Sequence, residues 1–276
     1  MKADLHCHST MSDGVLPPAE VARRAHANGV VLWALTDHDE LMGQPAAREA
    51  ASALGMRYVS GVEISVTWCG RTLHVVGLHL DECDDALAAG LAAMRDDRGI
   101  RARRMADRLE ALGIPDTFEG ALAFAGNPSL VSRTHFARFL VQRGDCSTMQ
   151  EVFDRYLADG KPGYVPTQWA SLEAAIGWIK GAGGRAVIAH PGRYHYTPAQ
   201  FDALFEVFKD LGGEAIEVVT GSHAPVQYVE YARVAKRYGF LASCGSDFHS
   251  PSEGKMDLGG LPPLPAGLTP VWHDWI

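Results

Sequence analysis

Residues 4–14 read DLHCHSTMSDG, a short strand-like run of alternating polar and apolar residues that leads into a polar, glycine-ended turn. His6 and His8 stand two positions apart in the run, and Asp13 lies in the turn. Side chains at i and i+2 of a strand point to the same face, so the two imidazoles can hold one ion together. A lone His-x-His is usually an accident of packing, and Asp13 alone could be an ordinary turn residue. The stretch therefore indicates a metal site only if other strand ends carry similar residues.

Strand-like runs recur along the chain, and alanine-rich helical segments lie between several of them. Seven such runs cover residues 2–8, 29–39, 56–65, 71–80, 183–193, 212–221 and 238–249. The helical segments include PPAEVARRAHANG (17–29), which opens with prolines suited to a helix start and ends on glycine. Strands that alternate with helices predict a parallel sheet, and seven units predict an α/β barrel related to the eight-fold one.

One long segment interrupts this alternation. Residues 84–163 show no strand pattern and read as several short helices. We interpret them as a helical insertion, or cap domain, on a barrel formed by residues 1–83 and 164–276. Within the insertion, RDDRGIRARRMADR (95–108) reads mostly as a solvated helix face.

Histidines and carboxylates stand at or near the ends of these strands. The set is His6, His8, Asp13, His38, Glu63, His74, His190, Asp247 and His249. In barrels of parallel strands, the carboxyl ends of the strands and the loops after them form the active face, so these side chains are expected to meet there. Six imidazoles and three carboxylates exceed the needs of one ion and suit two or three. Mixed nitrogen and oxygen donors without thiolate fit Mn²⁺, Fe²⁺ or Zn²⁺.

Composition excludes some classes of function. The chain has 276 residues and a formal net charge of −8, from 25 basic and 33 acidic residues. An acidic total disfavours a duplex-DNA binder but allows a small anionic substrate held by arginines and metal ions. No targeting or membrane-spanning segment is expected. Five cysteines without a CxxC pair favour a reducing cytoplasm.

In order along the chain, DLHCHSTMSDG, TDHD (36–39), GVEIS (61–65), AHPGR (189–193) and GSDFH (245–249) resemble the motifs of the PHP (polymerase and histidinol phosphatase) superfamily. The resemblance implies a distorted (β/α)₇ barrel with a trinuclear metal site that cleaves phosphate esters. SRTHFARFLVQRG (132–144) and KPGYVP (161–166) resemble the branch that carries a helical insertion. Members of that branch remove the 3′-phosphate of nucleoside 3′,5′-bisphosphates, and some degrade short RNA in the 5′→3′ direction.

The resemblance also implies a distribution of ligands over three ions. We expect Mn²⁺, with Fe²⁺ or Zn²⁺ as alternatives. His6, His8, Glu63 and Asp247 would hold the first ion; Asp13, His38 and His249 the second; and His74 and His190, with Glu63 bridging, the third. The expected reaction is direct attack on phosphorus by a metal-bridging hydroxide, with Asp247, His190 and Arg193 at the reacting group. No serine or cysteine stands in a nucleophile motif.

Arginines are expected to clamp the substrate phosphates, because a guanidinium matches phosphate bidentately. Arg193 follows the ligand His190 by three residues, and Arg133 lies in SRTHFAR (132–138). Further candidates for substrate contact are Ser129 and His135 in the insertion and Ser222 and His223 after the sixth strand. The alternative for the two arginines is that Arg133 caps a helix or forms an ion pair on it, and that Arg193 is a surface loop residue.

Three alternatives remain open. Histidinol phosphate phosphatase uses similar motifs on a different substrate. A PHP module can serve as a structural part of a DNA polymerase, although no polymerase sequence is attached here. Amidohydrolase barrels also bind metals through His-x-His, but usually with a bridging carboxylated lysine, and no lysine stands at these strand ends. The sequence leaves open the oligomeric state, the base preference and the choice between nucleotide and short RNA.

Overall fold

Seven strands form one sheet in a computed structural model of the chain, which describes residues 1–254 and 256–275. In chain order, which is also their order in the sheet, they are β1 (Ala3–Asp4), β2 (Leu32–Leu35), β3 (Arg57–Trp68), β4 (Arg71–Leu78), β5 (Arg185–Ile188), β6 (Ala215–Thr220) and β7 (Leu241–Gly245). Hydrogen bonds from the Leu5 amide to the Cys244 carbonyl (3.0 Å) and from the His8 amide to the Phe248 carbonyl (2.8 Å) join the two edges. The sheet is thus nearly closed, which confirms the predicted α/β barrel.

The fourth strand departs from the predicted parallel sheet. β4 runs antiparallel to both β3 and β5, whereas the other neighbouring strands are parallel. Cys69 and Gly70, with φ of 47° and 74°, make a two-residue left-handed turn that reverses the chain directly from β3 into β4. Such turns match the twist of a hairpin. The prediction of an all-parallel sheet is therefore wrong at β4, and the reversal brings the first half of β4, with His74, to the end where the parallel strands finish.

Helices cover the outside of the barrel and fill the insertion. They are α1 (Pro18–Ala27), α2 (Gln44–Ala53), α3 (Asp85–Glu110), α4 (Thr117–Leu122), α5 (Arg133–Arg143), α6 (Met149–Val152), α7 (Leu172–Gly181), α8 (Pro198–Asp210) and α9 (Pro225–Tyr238). Several begin where the sequence predicts, because proline occupies a first helical position and needs no amide partner there. No helix in residues 1–254 and 256–275 has the length and apolar character required to cross a membrane.

The insertion has a hydrophobic cluster of its own. α3 to α6 lie within residues 84–163, a span without a strand and fully described. Phe136 of α5 and Leu109 of α3 are buried in a cluster separate from the one that fills the barrel. A continuous apolar cluster of this kind is what holds a helical unit together. The division of the chain into residues 1–83 and 164–276 against 84–163 stays a prediction.

The strand that closes the barrel approaches the first one very closely. A Cβ added at Gly245, the last residue of β7, would lie 2.1 Å from the His6 Cβ and 2.7 Å from the His6 amide nitrogen. No side chain can be accommodated there without moving the backbone that carries His6. The glycine of GSDFH thus determines how near the β7 end can come to the His-x-His stretch.

Replacing Gly245 by alanine should therefore destabilise the fold. We expect a loss of about 2 kcal/mol, because overpacking a filled interior shifts backbone. Gly177→Ala is the matched control: no atom lies within 4 Å of the added Cβ, and the site is inside α7. That change should raise stability by about 1 kcal/mol through helix propensity. Urea unfolding of both variants measures the difference, and equal midpoints would contradict the close approach.

Candidate functional site

All nine predicted metal ligands lie at one end of the barrel. Their donor atoms form four groups, within each of which the donors lie within 4.8 Å of one another: His8, Asp13, His38 and His249; His6, Glu63 and His190; His6, His8 and Asp247; and His38, Glu63 and His74. The groups share members, so the nine side chains form one continuous cluster. The distribution of ligands over separate ions stays a prediction.

Glu63 lies at the centre of this cluster. Its side chain is fully buried in β3, and its Oε1 lies 2.9 Å from both His74 Nδ1 and His190 Nε2. Its Oε2 lies 2.8 Å from His38 Nδ1. One carboxylate thus meets imidazoles from three different segments, which is the arrangement of a bridging ligand.

The His-x-His pair meets a second carboxylate. The Nε2 atoms of His6 and His8 are 3.3 Å apart, and both lie within 3.6 Å of Asp247 Oδ1. β1 has ended before these residues, but the pairing of this segment with the chain after β7 keeps them in register. Two ring nitrogens and a carboxylate oxygen that face a common point are a typical donor set for a divalent ion.

Buried atoms without partners test whether a cation fits here. Asp13 Oδ1, Glu63 Oε2 and His38 Nδ1 are inaccessible to solvent. Glu63 Oε2 and His38 Nδ1 lie 2.8 Å apart, but none of the three atoms has a partner in hydrogen-bonding geometry within the described residues. Leaving such groups unsatisfied costs roughly 1–3 kcal/mol each, and more for charged groups. All three belong to the ligand cluster, and a bound cation would satisfy them. The residues present therefore fit the metal ions that the sequence predicts.

The protonation states suit ligation at some of the ligands. Burial, with repulsion from His249 and His38, lowers the pKa of His8 to about 3. Burial, with repulsion from Arg193, lowers the pKa of His190 to about 3. Burial alone would raise the pKa of Asp247, but the charge of His6, a hydrogen bond with His8 and the charges of His249 and Arg193 hold it well below its ordinary value. Neutral imidazoles and ionised carboxylates are the forms that bind metal. At His6, His38 and His249 burial alone would lower the pKa, but nearby carboxylates raise it, so a cation bound there would displace protons.

The backbone is strained where two ligands enter the site. His190 has φ of 27° and Asp247 has φ of 55°, positive values that residues other than glycine rarely adopt. Conformations of this kind cost about 1–3 kcal/mol each and cluster at functional sites. Hydrogen bonds stabilise the backbone at both positions: the His190 amide donates to Glu217 Oε2 (2.6 Å), and the Asp247 amide donates to the His6 carbonyl (2.8 Å).

Glu217, which the sequence analysis did not single out, supports the ligands from behind. It is buried in β6, and its Oε1 accepts a hydrogen bond from His6 Nδ1 (2.9 Å). That bond fixes the tautomer of His6 and leaves Nε2 free for an ion, as carboxylates behind ligating histidines commonly do. The sequence did contain a signal, a glutamate inside the apolar run AIEVVT, because a glutamate is rarely buried unless it is paired.

Arginines of the insertion form the other side of the same cavity. Arg98 pairs with Asp39, its Nε lying 2.7 Å from Asp39 Oδ2. Arg101 and Arg133 also line the cavity, but no carboxylate of the described residues pairs with either. Among the described residues, the Arg101 side chain donates only to the Val165 carbonyl (3.1 Å). Burial, with repulsion from Arg133 and Arg98, lowers the pKa of Arg101 to about 9. The guanidinium groups of the buried Arg101 and the half-buried Arg133 thus lack a carboxylate counter-ion among the described residues.

The interpretation of residues 95–108 as a solvated face is wrong for Arg98 and Arg101. Both side chains are less than 10% exposed, whereas Arg103 and Arg104 of the same helix are exposed. The signal was in the spacing: positions 94, 98, 101 and 105 lie on one face of α3, and the outer two are buried methionines.

Two contacts tie the insertion to the ligand cluster. Thr134 Oγ1 and Ser132 Oγ donate to Asp13 Oδ2 at 2.9 Å and 3.2 Å. Ser132 also caps the start of α5, so the amino end of this helix and Arg133 lie beside the metal ligands. A helix amino terminus adds favourable potential for an anion.

The remaining predicted substrate residues are placed unequally. Arg193 lines the cavity, and its Nη1 donates to Asp247 Oδ2 (2.9 Å). Ser129 and Ser222 are exposed and do not line the cavity. His135 is fully buried, and its Nδ1 accepts from the Ser132 amide (2.9 Å) in the α5 cap. His223 accepts from the Gly192 amide through Nε2 (3.0 Å). The structure therefore brings Arg133 and Arg193 to the cavity and leaves the other four outside its lining.

Two curated relatives match over nearly the full chain. The 3′,5′-nucleoside bisphosphate phosphatase of Chromobacterium violaceum is 50% identical over 271 residues, which is 98% of this chain and 95% of the relative. The 5′-3′ exoribonuclease Rnm of Salmonella typhimurium is 44% identical over 274 residues, which is 99% of this chain and 93% of the relative.

Solved structures agree with the fold. A Chromobacterium violaceum protein described as an amidohydrolase, with sulfate and no metal, superposes with a TM-score of 0.96 at 49% identity, covering 99% of this chain and 95% of that one. A candidate metal-dependent phosphoesterase from Bifidobacterium adolescentis superposes with a TM-score of 0.83 at 28% identity, covering 98% and 93%. The model of the PHP domain matches residues 4–210, and this chain belongs to the PHP domain family.

Proposed function

We propose that this protein is a metal-dependent phosphatase that removes the 3′-phosphate of nucleoside 3′,5′-bisphosphates and leaves the 5′-monophosphate. One observation carries the proposal: a single cavity has metal-type donors on one side and, on the other, the buried Arg101 and the half-buried Arg133, neither of which has a carboxylate partner among the described residues. A substrate with two phosphates satisfies both sides. The relative with the corresponding name, at 50% identity, supports the same substrate class.

The nine clustered ligands would hold two or three divalent ions, with Mn²⁺ as the expected metal and Fe²⁺ or Zn²⁺ as alternatives. When bound, such ions supply an acidified water and neutralise charge on the phosphoryl oxygens. The chain itself fixes the ligands: Glu217 orients His6, and the contacts of Ser132 and Thr134 orient Asp13.

The side chains of the cavity determine the orientation in which the substrate binds. The 3′-phosphate lies at the ligand cluster, where Arg193 beside Asp247 contacts a phosphoryl oxygen. The 5′-phosphate lies between Arg101 and Arg133, which lack a counter-ion until it binds. In the reaction, a water oxygen bonds to phosphorus, the bond from phosphorus to O3′ breaks, and O3′ leaves with a proton. Anchoring the distant phosphate holds the reacting one in place, which is how remote binding energy assists chemistry.

The helical insertion, residues 84–163, acts as a cap in this proposal. Arg98, Arg101, Arg133 and Phe153 of this segment line the cavity opposite the barrel ligands. Covering the site in this way excludes water and strengthens the interaction between guanidinium and phosphate.

A second activity on short 5′-phosphorylated RNA follows from the same geometry. The bond from phosphorus to O3′ of the first nucleotide breaks in both reactions, and the remaining RNA keeps the phosphate. The exoribonuclease name of the 44% identical relative favours this activity. Histidinol phosphate fits less well, because it carries one phosphate and a cationic amine that would face the unpaired arginines. The five free cysteines favour the reducing cytoplasm as its location.

Phosphate release from adenosine 3′,5′-bisphosphate, 3′-AMP and 5′-AMP tests the substrate. Chelator-stripped protein with Mn²⁺ added back should hydrolyse the bisphosphate at least about a hundredfold more efficiently than 3′-AMP, since a charge-assisted hydrogen bond is worth roughly 1.5–3 kcal/mol and two arginines act. 5′-AMP should release little phosphate. Equal rates on all three would refute the assignment of two phosphate ends.

Arg101→Ala should remove much of that preference. We expect kcat/KM for the bisphosphate to fall about 10–100-fold, because one buried charged contact is lost, and kcat/KM for 3′-AMP to change little. Arg104→Ala, an exposed position on the same helix, is the control and should leave both values unchanged. A parallel loss on both substrates would mean that Arg101 supports the fold and not the 5′-phosphate.

Glu217→Gln should weaken metal binding, since the ring of His6 loses its charged partner. We expect affinity for Mn²⁺ to fall about 10–100-fold, measured by competition with a fluorescent chelator. Glu230→Gln, on the exposed face of α9, is the matched control. Unchanged affinity in Glu217→Gln would argue against the proposed support of His6.

A further inference from the structure

A second cavity adjoins the first. It shares Thr72, Arg133 and Arg193 with the cavity described above, and its other lining residues are Gly70, Arg71, Asp159, Tyr164, Tyr194, His195 and Tyr196. We call it the aromatic groove. Its side chains come from the β3–β4 hairpin, the loop after β5 and the end of the insertion, so barrel and insertion both contribute.

The position of the groove relates it to the two phosphate ends. Arg193, which lines both cavities, contacts Asp247 of the ligand cluster. Arg133, which also lines both cavities, is one of the two arginines that receive the 5′-phosphate in the proposed function. In a nucleoside 3′,5′-bisphosphate the ribose joins the two phosphates, and the base projects from C1′ of the same ring. A base attached to a ribose held between Arg193 and Arg133 would therefore leave the first cavity along the groove.

The lining suits a flat, uncharged ring. The Tyr164 hydroxyl and the His195 imidazole make no hydrogen bond within the described residues, and His195 is exposed. The Tyr194 hydroxyl already has partners among the metal ligands: it accepts a hydrogen bond from the His74 amide (2.9 Å) and contacts His190 Nδ1 (3.1 Å). Tyr196 packs against Phe201. The Tyr196 hydroxyl donates to the Trp68 carbonyl (3.2 Å). Tyr164 and His195 are thus the two aromatic side chains of the groove whose polar atoms make no hydrogen bond within the described residues.

We infer that the aromatic groove is the nucleobase subsite, where the base of the substrate stacks on Tyr164 and His195. This inference rests on the proposed function and adds to it the part of the substrate that lies between and beyond the phosphates. Stacking on aromatic side chains requires no particular pattern of donors and acceptors on the base. The groove thus contributes affinity for a nucleoside, which a sugar bisphosphate without a base cannot use.

The test compares adenosine 3′,5′-bisphosphate with its abasic analogue, 1-deoxyribose 3,5-bisphosphate, which lacks the base and keeps the 2′-hydroxyl group. The unaltered protein should hydrolyse the adenosine compound with kcat/KM about tenfold higher or more, the range given by one stacked base. Tyr164→Leu and His195→Ala should each lower kcat/KM for the adenosine compound about five- to tenfold, chiefly through KM. Neither should alter hydrolysis of the abasic compound. Tyr164→Phe keeps the ring and should behave as the unaltered protein.

The outcomes separate the groove from the proposed function. Hydrolysis of neither compound would refute the phosphatase assignment and the inference with it. Equal hydrolysis of both by the unaltered protein would refute the nucleobase subsite and keep the phosphatase. A parallel loss on both compounds in Tyr164→Leu would mean that the tyrosine serves the neighbouring Arg133. The 5′-phosphorylated dinucleotide pApA is assayed as a third substrate. If Tyr164→Leu and His195→Ala slow hydrolysis of pApA alone, the groove binds the next nucleotide of RNA, which would overturn the inference.

Discussion

The buried carboxylate of Glu63 imposes the central constraint on this structure. Its two oxygens contact imidazoles that come from the segment after β2, from β4 and from the segment after β5. A carboxylate without compensation in such a place would cost far more than a marginally stable domain can offset. The histidines around it, and the cations that the whole cluster fits, are what make that position tolerable. The strained backbone of His190 and Asp247 and the buried support from Glu217 are consequences of the same requirement.

The barrel provides the means to meet this requirement. Parallel strands deliver their following loops to one end, and the reversed β4 adds His74 from the middle of a strand. Gly245 allows β7 to approach His6 closely enough for Asp247 to face the His-x-His pair. The insertion then adds positive charge opposite the carboxylates. A cavity with opposite charge on its two sides orients a doubly phosphorylated substrate before any chemistry takes place.

Sequence patterns predicted the barrel and the strand-end histidines because both depend on local rules. Alternation of strands and helices, and histidines at i and i+2, can be recognised without knowing which residues meet in space. The antiparallel direction of β4 was not predicted, because a two-residue turn at Cys69 and Gly70 has little sequence signature beyond the glycine. The burial of Arg101 was not predicted, because charge alone suggested a solvated helix face. Its spacing from the buried methionines puts it on the buried face of α3. His135 and His223 were expected at the substrate, but each completes the hydrogen bonding of a backbone amide nearby. Such partnerships arise from packing, which a single sequence does not display.

A crystal structure with Mn²⁺ and 5′-AMP, recorded at the manganese absorption edge, is the most direct test of the two-ended cavity. Two or three anomalous peaks should lie among the nine clustered ligands, with Glu63 in contact with more than one. The 5′-phosphate should contact Arg101 and Arg133. Manganese outside the cluster, or a 5′-phosphate that contacts neither arginine, would contradict the account.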